Sequence, residues 1–141
     1  IEPVTAERQV TPQDAPGVEY EFTTLSEGDL IVETYLSPTQ DYKKQGGLKF
    51  AISIDDEELQ IINMNEGETE PDYKYAGWWL RSVGDHIKTR VSTHTIDSPG
   101  IHTLKIRMVD PGIVFQRFVI HTGGLKPSYL GPVESHCVRV R

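Results

Sequence analysis

The sequence predicts an all-β protein, an antiparallel β-sandwich of the jelly-roll type. Short segments with an apolar residue at every second position recur along the chain, and this period of two is typical of strands with one buried face. Twelve glycines and nine prolines among 141 residues supply many turns. No long segment has convincing helical periodicity, and no repeat of about 20–50 residues is visible. Together these observations favour a sandwich of seven or more short strands.

The length predicts one domain. At 141 residues and 15.9 kDa, the chain is long enough to bury a core without disulfides. Residues 1–17 contain three prolines and mixed charge and predict a linker or N-terminal arm. We expect the sandwich domain at 18–135 and a C-terminal tail at 136–141. No basic segment with an apolar stretch behind it opens the chain, so we expect a mature or excised piece.

Composition also limits the partners. The net charge is -7, with 14 basic against 21 acidic residues, which argues against nucleic acid because phosphate binding needs a dense Lys/Arg surface. The apolar runs are shorter than the roughly 18 residues of a membrane span, so no membrane partner is expected. One cysteine, Cys137, excludes an internal disulfide and a cysteine-based zinc cluster.

The first half of the chain predicts four strands, at 18–25, 30–36, 48–54 and 59–64. Apolar side chains that share one face in the first three are Val18, Tyr20 and Phe22, then Leu30, Val32 and Leu36, then Leu48, Phe50, Ile52 and Ile54. A polar loop over 39–47 and an acidic turn over 55–58 separate these strands. A long acidic loop follows at 65–77.

The second half begins with a short helix and returns to strands. Trp79, Val83 and Ile87 are spaced by four, which favours a helical turn, and Trp79 is expected in the core. The strand that starts at Ile87 is expected to turn its polar members outward; these are Lys88, Arg90, Ser92 and His94. Inward residues of the next strand, 101–109, are Leu104, Ile106 and Met108. The segment 113–120 is apolar on both sides, as expected of a strand covered on both faces.

Turn residues predict two hairpins. Asp110-Pro111-Gly112 joins the segments 101–109 and 113–120, because proline presets the φ of the second turn position and glycine accepts the positive φ that follows. We expect this hairpin at the centre of the sandwich. Asp97-Ser98-Pro99-Gly100 joins the strand at 87–96 to the same 101–109 segment.

Several motifs follow one another along the chain. They are Tyr35-Leu36-Ser37-Pro38-Thr39, Ser53-Ile54-Asp55-Asp56, Trp79 with Val83 and Asp85, and most of 99–135, including Val109-Asp110-Pro111-Gly112 and the run from Gly123 to Pro132. Together these motifs resemble the C-terminal domain of glycoside hydrolase family 115, the xylan α-1,2-glucuronidases. The resemblance covers about residues 18–135. It implies a jelly-roll sandwich similar to carbohydrate-binding modules of the family 6 and 35 type.

The resemblance also implies a role. In such enzymes this domain ends a multidomain chain, and the catalytic carboxylates lie in earlier domains, so no catalytic residue is expected here. The implied partners are a plant polysaccharide or oligosaccharide, the catalytic domains of the parent enzyme and, as a further candidate, a second copy in a homodimer. Secretion or export to the periplasm is the implied localisation.

Candidate sugar-binding residues are aromatic side chains in polar loops, because sugars lie with their CH-rich faces on aromatic rings. Tyr73, Tyr75 and Trp78 form the first group, and Tyr42 is a weaker second candidate. The competing interpretation is that these rings cap the edge of the sandwich.

A basic face is the second candidate. If Ile96 faces Ile101, then Arg90 lies opposite Arg107 and Ser92 opposite Lys105. Opposed arginines repel unless an anion lies between them, and a glucuronate carboxylate on xylan suits the planar guanidinium fork. The competing interpretation is a solvated face neutralised by neighbouring Asp and Glu residues.

Enzymatic functions fit the sequence poorly. The serines lack a Gly-x-Ser-x-Gly frame, the carboxylates show no sign of a cleft, and the five histidines include no helical zinc pair. We expect no cofactor and no metal. Hard oxygen ligands make Asp55-Asp56-Glu57-Glu58 a candidate for structural calcium, although an ordinary acidic turn is the preferred interpretation. Two functions stay open: a non-catalytic module that binds glucuronoxylan or xylan, and a structural domain that packs on the catalytic core or a second subunit without sugar affinity.

Overall fold

The computed structural model describes residues 12–68, 77–128 and 131–136, and it confirms the β-sandwich. Within these residues, a short 3-10 turn at Pro12–Asp14 precedes seven strands and one helix: β1 (Gly17–Thr24), β2 (Gly28–Leu36), β3 (Lys49–Ile54), β4 (Gln60–Asn63), α1 (Gly77–Asp85), β5 (Lys88–Ile96), β6 (Gly100–Met108) and β7 (Phe115–His121). In the described segments, no helix is long and apolar enough to cross a membrane.

The strands form two antiparallel sheets. Sheet A has the order β1-β6-β3-β4, and sheet B has the order β5-β2-β7. Of the consecutive strands, β3 and β4 pair with each other, and every other link carries the chain from one sheet to the other. The core therefore collects residues that are far apart in the sequence.

The core lies between the two sheets, and the alternation of apolar residues locates most of it. Its buried members are Leu30, Val32, Leu36, Leu48, Phe50, Ile52, Ile54, Met64, Ile96, Leu104 and Ile106. The predicted inward faces of β2 and β3 are confirmed, as are Leu104 and Ile106 on β6. Met108, the last residue of β6, is 45% exposed instead of buried. Full burial of each Leu, Ile or Phe contributes about 1.5–3 kcal/mol to this core.

The predicted hairpin of 101–109 with 113–120 is wrong, because β6 belongs to sheet A and β7 to an edge of sheet B. Asp110 fastens the beginning of the β6–β7 link to sheet A, because its N–H donates to the Lys49 carbonyl at 2.8 Å. Further along, the Ser37 N–H of sheet B donates to the Val114 carbonyl at 2.9 Å. The Pro-Gly turn thus bends a link between sheets, and turn chemistry alone does not decide which strand is the partner.

The second predicted hairpin is also wrong. Residues 97–99 connect β5 in sheet B to β6 in sheet A, so the two strands do not pair. Arg90 lies opposite Thr34 on β2, while Arg107 lies between Gly17 and Ala51. The predicted pair of opposed arginines does not form.

Strand β5 also turns the other face inward. Lys88, Ser92 and His94 are buried, whereas Thr89 and Val91 face solvent, which reverses the prediction. An inward polar face is stable when every buried polar group has a partner. Ser92 Oγ lies 2.8 Å from His94 Nε2, and the partners of Lys88 and His94 are described below.

The segment after β7 crosses the outer face of sheet B. The Arg117 Nη1 donates to the Pro132 carbonyl at 3.4 Å, and Gly131 lies against the Arg117 and Tyr35 side chains. Val119 points to this outer face, opposite Glu33, and is buried. The predicted cover on both faces of this strand is therefore present, although β7 is an edge strand and not the centre of the sandwich.

Candidate functional site

A cleft of about 430 Å³ lies between helix α1, the turn after β4 and the beginning of β5. Residues 66–68, one side of α1 and residues 87–90 line it. Sites for small molecules commonly measure about 300–1,000 Å³, so the cleft has room for one.

The floor of the cleft is a buried ion pair. Lys88 Nζ lies 2.6 Å from Glu68 Oε1, and the two side chains are 4% and 9% exposed. Lys88 Nζ also donates to the Thr39 carbonyl at 2.9 Å. Asn65 completes the network, because its Nδ2 donates to the same carbonyl at 2.8 Å and to Glu68 Oε2 at 2.9 Å. With these partners the buried charges stabilise one arrangement of the floor.

Trp78 forms the apolar wall. Its ring centre lies 5.9 Å from Lys88 Nζ, a cation–π distance, and the ring is half-buried. Trp79 meets it edge-on at 5.9 Å but sits on the solvent side of α1. The sequence predicted Trp78 in a polar loop and Trp79 in the core, whereas Trp78 lies on α1. The core position of Trp79 is wrong, because two consecutive helical residues point about 100° apart and Trp78 takes the inner side.

Arg90 forms a second wall and holds the turn after β4. Its Nε donates to the Asn63 carbonyl at 3.0 Å, and its Nη2 donates to the Met64 carbonyl at 2.6 Å and the Glu66 carbonyl at 3.2 Å. All of these acceptors are backbone carbonyls. The guanidinium is therefore fixed in position and, within the described residues, forms no ion pair with a carboxylate.

Three polar side chains at the rim are open. Glu66, Arg81 and Asp85 line the cleft and are exposed. In the part of the chain that the structure describes, none of these side chains has a hydrogen bond to another side chain or an ion pair. Two carboxylates and one guanidinium thus surround Trp78, ready to bond to water or to the hydroxyl groups of a ligand.

The cleft brings together two of the seven residues proposed from the sequence, Trp78 and Arg90. Tyr73 and Tyr75 lie outside the described residues. Tyr42 packs its ring against Gly112 and donates its hydroxyl to the Pro111 carbonyl at 3.1 Å.

Lys105 and Arg107 lie on the outer face of sheet A, away from the cleft. Lys105 pairs with Asp56 at 3.2 Å, and Arg107 pairs with Glu19. They do not share a face with Arg90, so the predicted basic face is not formed. Sequence reasoning missed Glu66, Arg81 and Asp85. Arg81 had a usable signal, because it follows Trp78 by three residues and so lies on the same side of a helix.

The acidic turn between β3 and β4 is occupied by protein partners. Asp55 Oδ2 lies 2.7 Å from His102 Nδ1, and Asp55 Oδ1 accepts the Thr103 N–H at 2.8 Å. Glu57 accepts the Ile54 N–H at 2.6 Å and contacts buried His94. Among the residues described here, no group of three or more His, Cys, Asp or Glu side chains could hold a metal ion.

Burial raises the pKa of Asp55, but the hydrogen bonds from His102 and Thr103 outweigh it and hold that pKa below its usual value. The hydrogen bond to Asp55 raises the pKa of His102 against the opposing effect of burial, and the Ser98 carbonyl adds to the increase. The pair acts as a structural link between the β3–β4 turn and β6.

Residues 1–134 match the model of the glycosyl hydrolase family 115 C-terminal domain. The chain belongs to this family. The match spans nearly the whole sequence and confirms the family resemblance that the sequence motifs predicted.

Solved structures support the same fold. One similar structure is described as a novel family GH115 4-O-methyl-alpha-glucuronidase, BtGH115A, with specificity for decorated arabinogalactans. It is 20% identical in sequence, with a TM-score of 0.64, and the alignment covers 76% of this chain and 13% of the other. The search of curated proteins gave no match. The family 115 domain is therefore an accessory, non-catalytic part of a glycoside hydrolase and spans a small share of such an enzyme.

Proposed function

We propose that this domain binds plant cell-wall polysaccharide, glucuronoxylan or xylan, in the cleft beside Trp78. The observation that carries the proposal is one half-buried indole surrounded by the open side chains of Glu66, Arg81 and Asp85. An indole offers an apolar face to the CH groups of a sugar. The carboxylates and the guanidinium suit its hydroxyl groups, because they supply acceptors and donors that no described protein group uses.

The rigid floor supports binding. Lys88 and Glu68 neutralise each other below the indole, so the ligand does not have to reorganise a buried charge. A site that is already ordered loses less conformational entropy when its ligand binds. A polysaccharide of this kind is encountered outside the cytoplasm, and we propose on that ground that the domain is secreted or periplasmic.

Calorimetry on this chain with glucuronoxylan, unsubstituted xylo-oligosaccharides and arabinogalactan tests the proposal. We expect Trp78→Ala to weaken binding by about tenfold or more, because it removes the apolar wall of the site. Trp79→Ala is the matched control, since this neighbouring indole does not line the cleft, and the affinity of this variant is expected to stay near wild type.

Two results would overturn the proposal. Wild-type chain that binds none of these ligands at millimolar concentration is not a binding module. Equal affinities of the Trp78→Ala and Trp79→Ala variants would show that sugar binds away from the cleft. If arabinogalactan alone binds, xylan is the wrong ligand. The two tryptophan variants then test whether arabinogalactan binds in the cleft.

A further inference from the structure

Helix α1 exposes its apolar side. Trp79, Leu80 and Val83 lie on the side away from the cleft and are 38%, 64% and 44% exposed. The polar side chains of Arg81, Ser82 and Asp85 lie on the inner side and line the cleft. A surface helix normally turns its apolar stripe to the core and its polar side to solvent. In α1 this arrangement is reversed.

Little apolar burial holds the helix to the sandwich. Among the described residues of α1, Ser82 is buried and Trp78 is half-buried, with its ring over the Lys88 ammonium. Single exposed aliphatic residues elsewhere, such as Ile101 on β6, are ordinary for a protein surface. Three large apolar side chains on one helical face form a continuous patch, which is typical of a surface that another protein segment covers.

We infer that the Trp79–Leu80–Val83 face docks on an apolar surface of the remaining glycoside hydrolase polypeptide. The alignment covers 13% of the related enzyme chain, so in an enzyme of that size most of the polypeptide lies outside this structure and is covalently joined to it. Tethering gives an effective concentration in the millimolar range for short linkers, so a small face is sufficient for docking.

A partner on a separate polypeptide chain is a poorer fit to this face. Stable complexes between separate chains bury about 20–30 residues on each side, far more than three neighbouring helical side chains. A second copy of the domain would have to meet that requirement without the advantage of a tether. The inference rests on membership of family 115 and not on sugar binding.

Leu80→Arg in the full-length polypeptide that carries this domain tests the docking. We expect limited proteolysis to release the domain about tenfold faster, and hydrogen exchange over 77–85 to increase, because the charge prevents burial of the face. Ile101→Arg is the control: it places the same charge on an exposed aliphatic position, 73% exposed, on the outer face of sheet A. This variant is expected to behave as wild type.

Three results would overturn the inference. Unchanged proteolysis and exchange in Leu80→Arg would show that the face is open to solvent. Loss of a dimer in sedimentation velocity, with proteolysis unchanged, would assign the face to a second copy. Equal effects of Leu80→Arg and Ile101→Arg would show a non-specific consequence of charge. Val83→Ser replaces Leu80→Arg if the latter lowers the melting temperature of the domain. Sugar affinity is measured separately with Trp78→Ala, so failure of either proposal is distinguishable.

Discussion

His102 has hydrogen-bond acceptors at both ring nitrogens. Nδ1 lies 2.7 Å from the Asp55 carboxylate and Nε2 lies 3.0 Å from the Ser98 carbonyl. A neutral imidazole carries one N–H and can satisfy one of these acceptors, whereas the imidazolium satisfies both. This geometry explains why the pKa of His102 rises, mainly through Asp55, and why the Asp55 carboxylate favours its charged form.

The contribution of this pair to stability is therefore expected to fall as the pH rises above 6.5. The raised pKa of His102 stabilises the fold fully below the unfolded value of 6.5, and this contribution is lost as the pH rises through the folded value. The lowered pKa of Asp55 contributes above 3.8 and is lost as the pH falls through its folded value. The pair is thus at full strength between these two pH values.

His102→Gln isolates this pair from the other histidines. Urea unfolding of wild type and variant from pH 4 to pH 8.5 should show the largest difference in unfolding free energy near pH 5–6 and a smaller one at pH 8. The difference stays modest because the Asp55 side chain is 45% exposed. A difference that does not change with pH would contradict this assignment.

At the scale of elements, the link between β6 and β7 is fastened to β3 through Asp110. Its carboxylate accepts the Lys49 N–H at 2.9 Å and its own N–H donates to the Lys49 carbonyl at 2.8 Å. Lys43 lies 3.7 Å from the other carboxylate oxygen. Asp110 thus holds the chain against β3 at the point where it leaves sheet A for sheet B.

Asp110→Ala is expected to lower the unfolding free energy by about 1–2 kcal/mol, because the Lys49 N–H loses its acceptor. Asp110→Asn retains an oxygen and should cost less. Asp56→Ala, which removes the ion pair between a fully exposed carboxylate and Lys105, should change stability much less than Asp110→Ala. Urea unfolding measures all three variants. An Asp110→Ala effect no larger than that of Asp56→Ala would show that the link is held elsewhere.

The strands and the helix were more predictable from the sequence than the pairing of the strands. Alternation located β1, β2, β3 and β6 because one face of each is apolar, and helical spacing located α1. A period of two defines the faces of a strand but not the sheet it joins, so good turn residues at Asp110 and Asp97 were mistaken for hairpins. In β5 both faces carry polar residues, and partners distant in the chain decide which one is buried: Glu57 for His94 and Glu68 for Lys88.

The cleft was less predictable for the same reason. Its walls come from the segments 66–68, 78–85 and 87–90, and the contacts between them depend on the tertiary fold and not on any local sequence pattern. The aromatic candidates in the preceding loop pointed to the correct region through Trp78. The basic-face candidates failed because their position depended on a hairpin register that the fold does not contain.

At the scale of the whole molecule, α1 joins two proposed contacts. Its inner side forms one wall of the proposed sugar site, and its outer side carries the proposed docking face. If the outer side packs on the rest of the enzyme, the cleft lies beside a domain boundary, where ligand sites are common. The structural order of α1 and the cleft then depends on the ion-pair and hydrogen-bond network under the helix, which is centred on Lys88.

Lys88 connects four segments of the chain. Its ammonium contacts the Thr39 carbonyl in the β2–β3 loop, Glu68 after β4 and the Trp78 ring on α1, while its backbone belongs to β5. Removing one member of a buried ion pair leaves an uncompensated charge and typically costs about 3–5 kcal/mol. That is a large share of the roughly 5–15 kcal/mol that stabilise a domain.

Lys88→Met is therefore expected to lower the unfolding free energy by about 3–5 kcal/mol, because Glu68 stays buried without its cation. Adding Glu68→Gln should recover part of that loss, since the amide retains the bond with Asn65 and carries no charge. Urea unfolding of the two single variants and the double variant gives the coupling energy of the pair. Strictly additive losses would show that Lys88 and Glu68 act independently, and that the cleft floor is held by Asn65 and the Thr39 carbonyl instead.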